Sequence, residues 1–133
     1  MPGGPCQRPA VVDTFTEISE FVRLARKRHP KIRAHWEDDL EWRDRGMAAL
    51  KEGKTGMAEN TFQKLVLSQP GHCDGYEGWA RVCFETGRTQ AASILMDHAC
   101  SLARESCNRG DTDPRIVDQM EEFRREIAAA LPG

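Results

Sequence analysis

Chemistry in this chain would start from its thiols, imidazoles, carboxylates and guanidinium groups. Cys6, Cys73, Cys83, Cys100 and Cys107, with His72 and His98 beside two of them, are the residue types that hold zinc and other transition metals. Their spacing does not build a site. On a helix, His98 and Cys100 differ by two positions and point in different directions. No pair has the close loop spacing of a structural zinc centre, so the expected metal and cofactor complement is none. The odd cysteine count, the lack of any CxxC pair and the lack of a charged-then-apolar leader argue for reduced thiols in a cytoplasmic protein.

Catalytic chemistry is equally thin. There is no Gly-rich phosphate loop, no GxSxG and no HExxH. Glu121 and Glu122 are adjacent on one expected helix and therefore diverge rather than work as an acid–base pair. A non-enzyme is expected.

The densest charge feature is basic. Arg23, Arg26, Lys27, Arg28, Lys31 and Arg33 have no acid between them and lie next to His29 and His35, with Glu37, Asp38, Asp39, Glu41 and Asp44 following. Such a patch can attract phosphates or an acidic protein surface. It equally suits a helix C-terminus, where cations meet the negative end of the dipole. No aromatics are interleaved to stack on bases. Lys and Arg number 19 against 21 Asp and Glu, a net charge of -2, so nucleic acid is not the expected partner.

The elements that must position these groups read as helices. At 133 residues the chain fits one domain, and no apolar run approaches the roughly 18 residues of a membrane span. Residues 1–12, with three prolines, read as a flexible leader to a single domain over 13–133. Thr14 and Glu17 predict a capping box for a helix over 14–28, with Ile18, Phe21, Val22 and Ala25 on its apolar face. Pro30 should end that helix and open a second over 31–52, with Ile32, Trp36, Leu40, Met47 and Leu50 on one face and Trp42, Gly46 and Ala49 on the other. Gly53, Pro70-Gly71, Gly87 and Gly110 punctuate four more helices, over 55–68, 73–86, 89–107 and 114–130. Asp113 before Pro114 is an N-cap followed by a proline at the first helical position. The last helix carries an apolar stripe of Ile116, Met120, Phe123, Ile127 and Leu131. No stretch alternates with period two long enough to be a strand, so the fold class is all-α.

The chain also repeats itself. Trp42, Gly46, Gly53, Ala58 and Phe62 are followed 34 residues later by Tyr76, Ala80, Gly87, Ala92 and Met96. Small residues let paired helices approach, large ones fill the space around that approach, and the glycines permit tight turns. A period of 34 with two helices per unit resembles the tetratricopeptide repeat. The resemblance covers 39–72 and 73–106, including the closing Pro70 of the first unit. It departs from the family at Arg45 and Trp79, where leucine is usual, and at Arg104, where proline is usual.

That resemblance implies a right-handed superhelix of about six antiparallel helices. Two repeats leave apolar ends, so 14–28 is expected to pack on the array and 114–130 to cap it, with Asp118, Glu121, Glu122, Arg124 and Arg125 facing water. An imperfect cap is compatible with a homodimer. The resemblance further implies a concave groove for an extended peptide or a helix, lined by Arg43, Met47, Leu50, Asp74, Glu77, Arg81 and Phe84. Met47, Leu50 and Phe84 would offer apolar contact, while Arg43 and Arg81 could fork onto a partner carboxylate. Met47 and Gly78 stand where some family members place the asparagines of a carboxylate clamp, so that specificity is not expected. The implied function is a non-catalytic adaptor, chaperone-like in the manner of the bacterial secretion chaperones. The alternatives are a nucleic-acid-associated factor using the basic 23–33 cluster, and a structural self-assembly module.

Overall fold

The computed structural model describes residues 14–34 and 40–132, with the side chain of Leu40 also outside the description. The expected 1–12 leader, Trp36, His35 and the acidic Glu37–Asp39 fall outside the described residues. Six helices and no strand are present among those described: α1 Ile18–Arg28, α2 Leu40–Lys51, α3 Thr55–Ser68, α4 Cys73–Glu85, α5 Thr89–Asn108 and α6 Pro114–Ala130. The all-α class follows. From α2 onward each helix packs on the next through a short connection, which makes successive helices antiparallel.

The two hairpins α2–α3 and α4–α5 close in the same way. Gly53 and Gly87 both sit at left-handed φ, 80° and 84°. The Lys54 N–H donates to the Ala49 carbonyl at 2.8 Å, and 34 residues on the Arg88 N–H donates to the Cys83 carbonyl at 2.8 Å. A left-handed residue here captures carbonyls that the helix end would leave unpaired, and glycine adopts that conformation without a Cβ clash. Gly110, at φ 84°, ends α5 with the same pattern.

Close approach between the hairpins depends on Phe62. Its buried ring lies between Gly46 of α2 and Gly78 of α4, and a Cβ at Gly46 would come within 2.6 Å of the ring. At Gly78 a Cβ would be closer still, well inside contact distance of the same ring. Ala58, Ala80, Ala92 and Met96 are fully buried, and Tyr76 is nearly so with its hydroxyl donating to the Pro70 carbonyl at 3.1 Å. Trp42 is only half-buried.

Trp79 explains one departure from the repeat pattern. Its buried indole packs edge-on against Phe21 of α1, with centroids 5.5 Å apart, and its Nε1–H donates to Glu59 at 2.9 Å. Arg88 grips the same carboxylate with two bonds of 2.9 and 3.0 Å. Arg45, the matching position of the first unit, is exposed and pairs with Glu41. The chain thus uses a large aromatic where α1 must be received and a charge where the equivalent side chain of α2 is exposed.

Four expectations need correction. Helix α1 begins at Ile18, because the Glu20 carboxylate accepts from the N–H groups of Thr16 (2.7 Å) and Glu17 (3.0 Å); the capping box is three residues later than Thr14–Glu17 suggested. The second helix does not start at Lys31. Pro30 and Lys31 form a turn and Ile32–Ala34 are not helical, with the Ile32 carbonyl accepting from the Arg26 guanidinium and its N–H bonded to His29. The apolar face of α1 is wider than expected: Leu24 joins Phe21 and Ala25 in the core, with Ile18 and Val22 packed half-buried against it. On α6 Val117 is buried and Ile116 exposed, because α5 meets the face carrying Val117, Met120 and Ile127.

Candidate functional site

Three adjoining cavities run along α2, α4 and α6. The largest, about 690 Å³, is lined by Met47, Leu50, Phe84 and Phe123, with Lys51, Arg81, Glu85 and Glu126 around them. Two smaller ones, about 170 and 410 Å³, continue past Arg43, Asp74 and Glu77 toward the N-terminus of α4. Arg81 lines all three. Every one of Arg43, Met47, Leu50, Asp74, Glu77, Arg81 and Phe84 borders this groove, so helices far apart in sequence bring the set together.

Helix α6 supplies what sequence reasoning left out. Phe123, Gln119, Ile116 and Glu126 border the groove as well. The register hides this: α5 has 20 residues against 14 in α3, so a further step of the repeat misses α6. The apolar stripe already named Phe123, and its width was the available signal. The charged outer face of α6 is correspondingly narrower than expected. Glu121 is half-buried and receives bonds from Arg104 of α5 and from Arg124, which also reaches Asp97. The Arg124 bond chiefly holds the Glu121 carboxyl below its ordinary range.

Two of the groove's three cations, Arg81 and Arg43, have partners inside the chain. Arg81 bonds Glu77 at 2.9 Å, and its guanidinium lies 4.2 Å from the centre of the Phe123 ring. Arg43 lies 3.8 Å from Asp74 and 3.7 Å from Asp44. Phe123 packs edge-on against Phe84 with centroids 5.6 Å apart. Among the described residues the exposed large hydrophobics are Met47, Met57 and Ile116, and two of these three border the groove. Helix α1 packs on α3 and α5, and none of its residues borders these cavities.

The basic cluster lies on and just beyond α1. Arg26, Lys27 and Arg28 occupy its last turn, where they complement the helix dipole. Arg23, Arg26, Lys27, Lys31 and Arg33 are exposed and Arg28 is half-buried. His29 is turned inward, its Nε2 3.0 Å from the Gln63 Oε1 of α3, and burial pushes its pKa below the ordinary value.

One trio has metal-binding residue types in reach of each other: ligand atoms of His72, Cys73 and Asp74 lie within 4.8 Å. Burial, reinforced by Asp74 and Glu77, pushes the Cys73 thiol up to about 12, which keeps it protonated. The site also sits at the positive end of α4, where the His72 Nδ1 already accepts from the Asp74 N–H at 3.4 Å. The helix end and the occupied His72 Nδ1 oppose a cation at this point. His98 instead packs edge-on against Tyr76, and the described cysteines Cys73, Cys83, Cys100 and Cys107 are free thiols.

Comparison with protein-family models, with curated proteins and with solved structures finds no match. No helix among the described residues is long and apolar enough to cross a membrane.

Proposed function

We propose that this chain is a tetratricopeptide-type adaptor that takes a peptide or helix of a partner protein into the groove between α2, α4 and α6. The observation that carries the reading is the apolar lining of that groove. Met47, Leu50, Phe84 and Phe123 converge on one cavity of about 690 Å³, a volume suited to side chains of a bound segment. The matching hairpin closures at Gly53 and Gly87 support the repeat assignment. Packing of α1 against α3 and α5 supports a groove left to a partner rather than to the chain's own first helix.

Recognition on this reading is by shape and charge on a rigid helical stack, without catalysis, cofactor or metal. A carboxylate clamp does not fit, since Gly78 lies against Phe62 and leaves no room for an asparagine side chain. A cytoplasmic setting suits the free thiols, and a homodimer or chaperone-like role remains within the same reading.

Selection of a displayed random-peptide library on the purified protein tests it. Enrichment of a shared motif that is lost with the double variant Met47→Glu/Phe84→Glu is the expected result. A motif that survives this variant and is lost with Lys27→Glu/Arg28→Glu would move function to the basic cluster. Reduced mass in solution of Phe123→Glu, without any peptide enrichment, would favour self-assembly.

A further inference from the structure

We infer that the occupant of the groove is a cationic amphipathic segment, with bulky apolar side chains on one face and Lys or Arg beside them. The inference rests on the groove reading above and adds the chemistry of the partner.

Charge on the groove wall points that way. The carboxylates Asp74, Glu77, Glu85, Asp111, Asp113 and Glu126 outnumber the cations Arg43, Lys51 and Arg81. Two of those three cations are already engaged: Arg81 by Glu77 and the Phe123 face, Arg43 by Asp74 and Asp44. Asp111 and Asp113 have Arg109 and Arg115 as partners. Glu85 and Glu126 differ. Both are exposed, both border the apolar cavity, and neither forms a salt bridge among the described residues. An apolar floor with unengaged carboxylates at its edge favours a ligand whose hydrophobic side chains enter and whose cations stay at the rim. An acidic segment would set its carboxylates against Glu85 and Glu126 at short range.

The chain's own basic end does not supply this ligand to a second copy. Arg23, Arg26, Lys27 and Arg28 carry the right sign, but Phe21, Leu24 and Ala25, which would have to enter the cavity, are buried in the core of their own chain. That helix of a second copy therefore offers charge with its core-facing anchors already occupied.

Two labelled synthetic helical peptides with one shared leucine pattern, all other positions Lys in one and Glu in the other, separate the outcomes by fluorescence anisotropy. The lysine peptide is expected to bind about 10-fold or more tighter at physiological salt. Glu85→Gln/Glu126→Gln should weaken it by roughly 5-fold, while Phe84→Ala should weaken it regardless of salt. Circular dichroism on each variant confirms that these surface changes leave the fold intact. Equal binding of the two peptides, binding of neither, or no response to Glu85→Gln/Glu126→Gln overturns the inference. Preference for the glutamate peptide that Phe84→Ala abolishes would overturn the charge assignment and leave the groove reading standing. Lysine-peptide binding indifferent to Phe84→Ala would overturn both. A homo-oligomer that the lysine peptide dissociates and Lys27→Glu/Arg28→Glu also dissociates would show a second copy as the occupant, against the inference.

Discussion

The Arg81 guanidinium lies 4.2 Å from the centre of the Phe123 ring, which joins α4 to α6 across the wall of the groove. Glu77 holds the other side of Arg81 at 2.9 Å, and Phe84 meets the edge of Phe123. Four side chains from two helices therefore fix one another before any ligand arrives. Such an arrangement reduces the ordering cost of binding.

Phe123→Ala removes the stacking partner of Arg81 and the edge contact of Phe84 together. The ring is half-buried, so the expected loss is about 1–2 kcal/mol, below the range for a fully buried phenylalanine. Urea unfolding measures it, and Phe123→Leu should restore more than half of the loss.

Gly78→Ala places a methyl group inside contact distance of the Phe62 ring, in a core with no slack on either side. The expected destabilisation is about 2 kcal/mol or more. In a double-mutant cycle with Phe62→Leu the two changes should be strongly non-additive, because the smaller side chain vacates the space that the methyl needs.

Gly53→Ala and Gly87→Ala should each cost about 1 kcal/mol, through the left-handed backbone alone. Both glycines have open space around them, so no packing difference separates the two. Equal costs that add in the double variant, read by thermal unfolding, would match the equivalence of the hairpins. A large difference would contradict it.

Acid should weaken the fold in two stages. Burial pushes the pKa values of His29 and His98 down from 6.5, so the folded protein resists protons that the unfolded chain takes up. Their contribution is complete above pH 6.5 and is lost as pH falls below it. Glu121 is also held low, by Arg124, and its contribution is present above pH 4.5 and disappears as pH falls through the lowered value. The urea midpoint should therefore drop between pH 8 and pH 5.5, and His29→Gln should reduce that drop.

Much of the helical layout was legible in the residues. Gly53, Gly87, Gly110 and the Asp113–Pro114 pair mark ends that local backbone chemistry dictates, and α3 and α6 run over the expected spans. The start of α2 was not legible. Pro30 suits a helix start and a turn equally, and the bond from Arg26 to the Ile32 carbonyl comes from a preceding helix rather than from the local sequence. The resemblance to the tetratricopeptide repeat, carried by the 34-residue period, implied the groove residues of α2 and α4, and the cavities border every one of them. It could not locate Phe123 or Glu126, since the longer α5 breaks the period before α6 begins. The network of Trp79, Glu59 and Arg88 was hidden for a related reason: its members sit on different helices and only packing unites them.

The most direct test of the groove as a docking surface is amide chemical-shift mapping on isotope-labelled protein titrated with a selected peptide. The account predicts perturbations concentrated on α2, α4 and α6, with Met47, Leu50, Phe84, Glu85, Phe123 and Glu126 among the largest. Perturbations confined to the Arg23–Arg33 end of α1, or to the outer surfaces of α3 and α5, would contradict it.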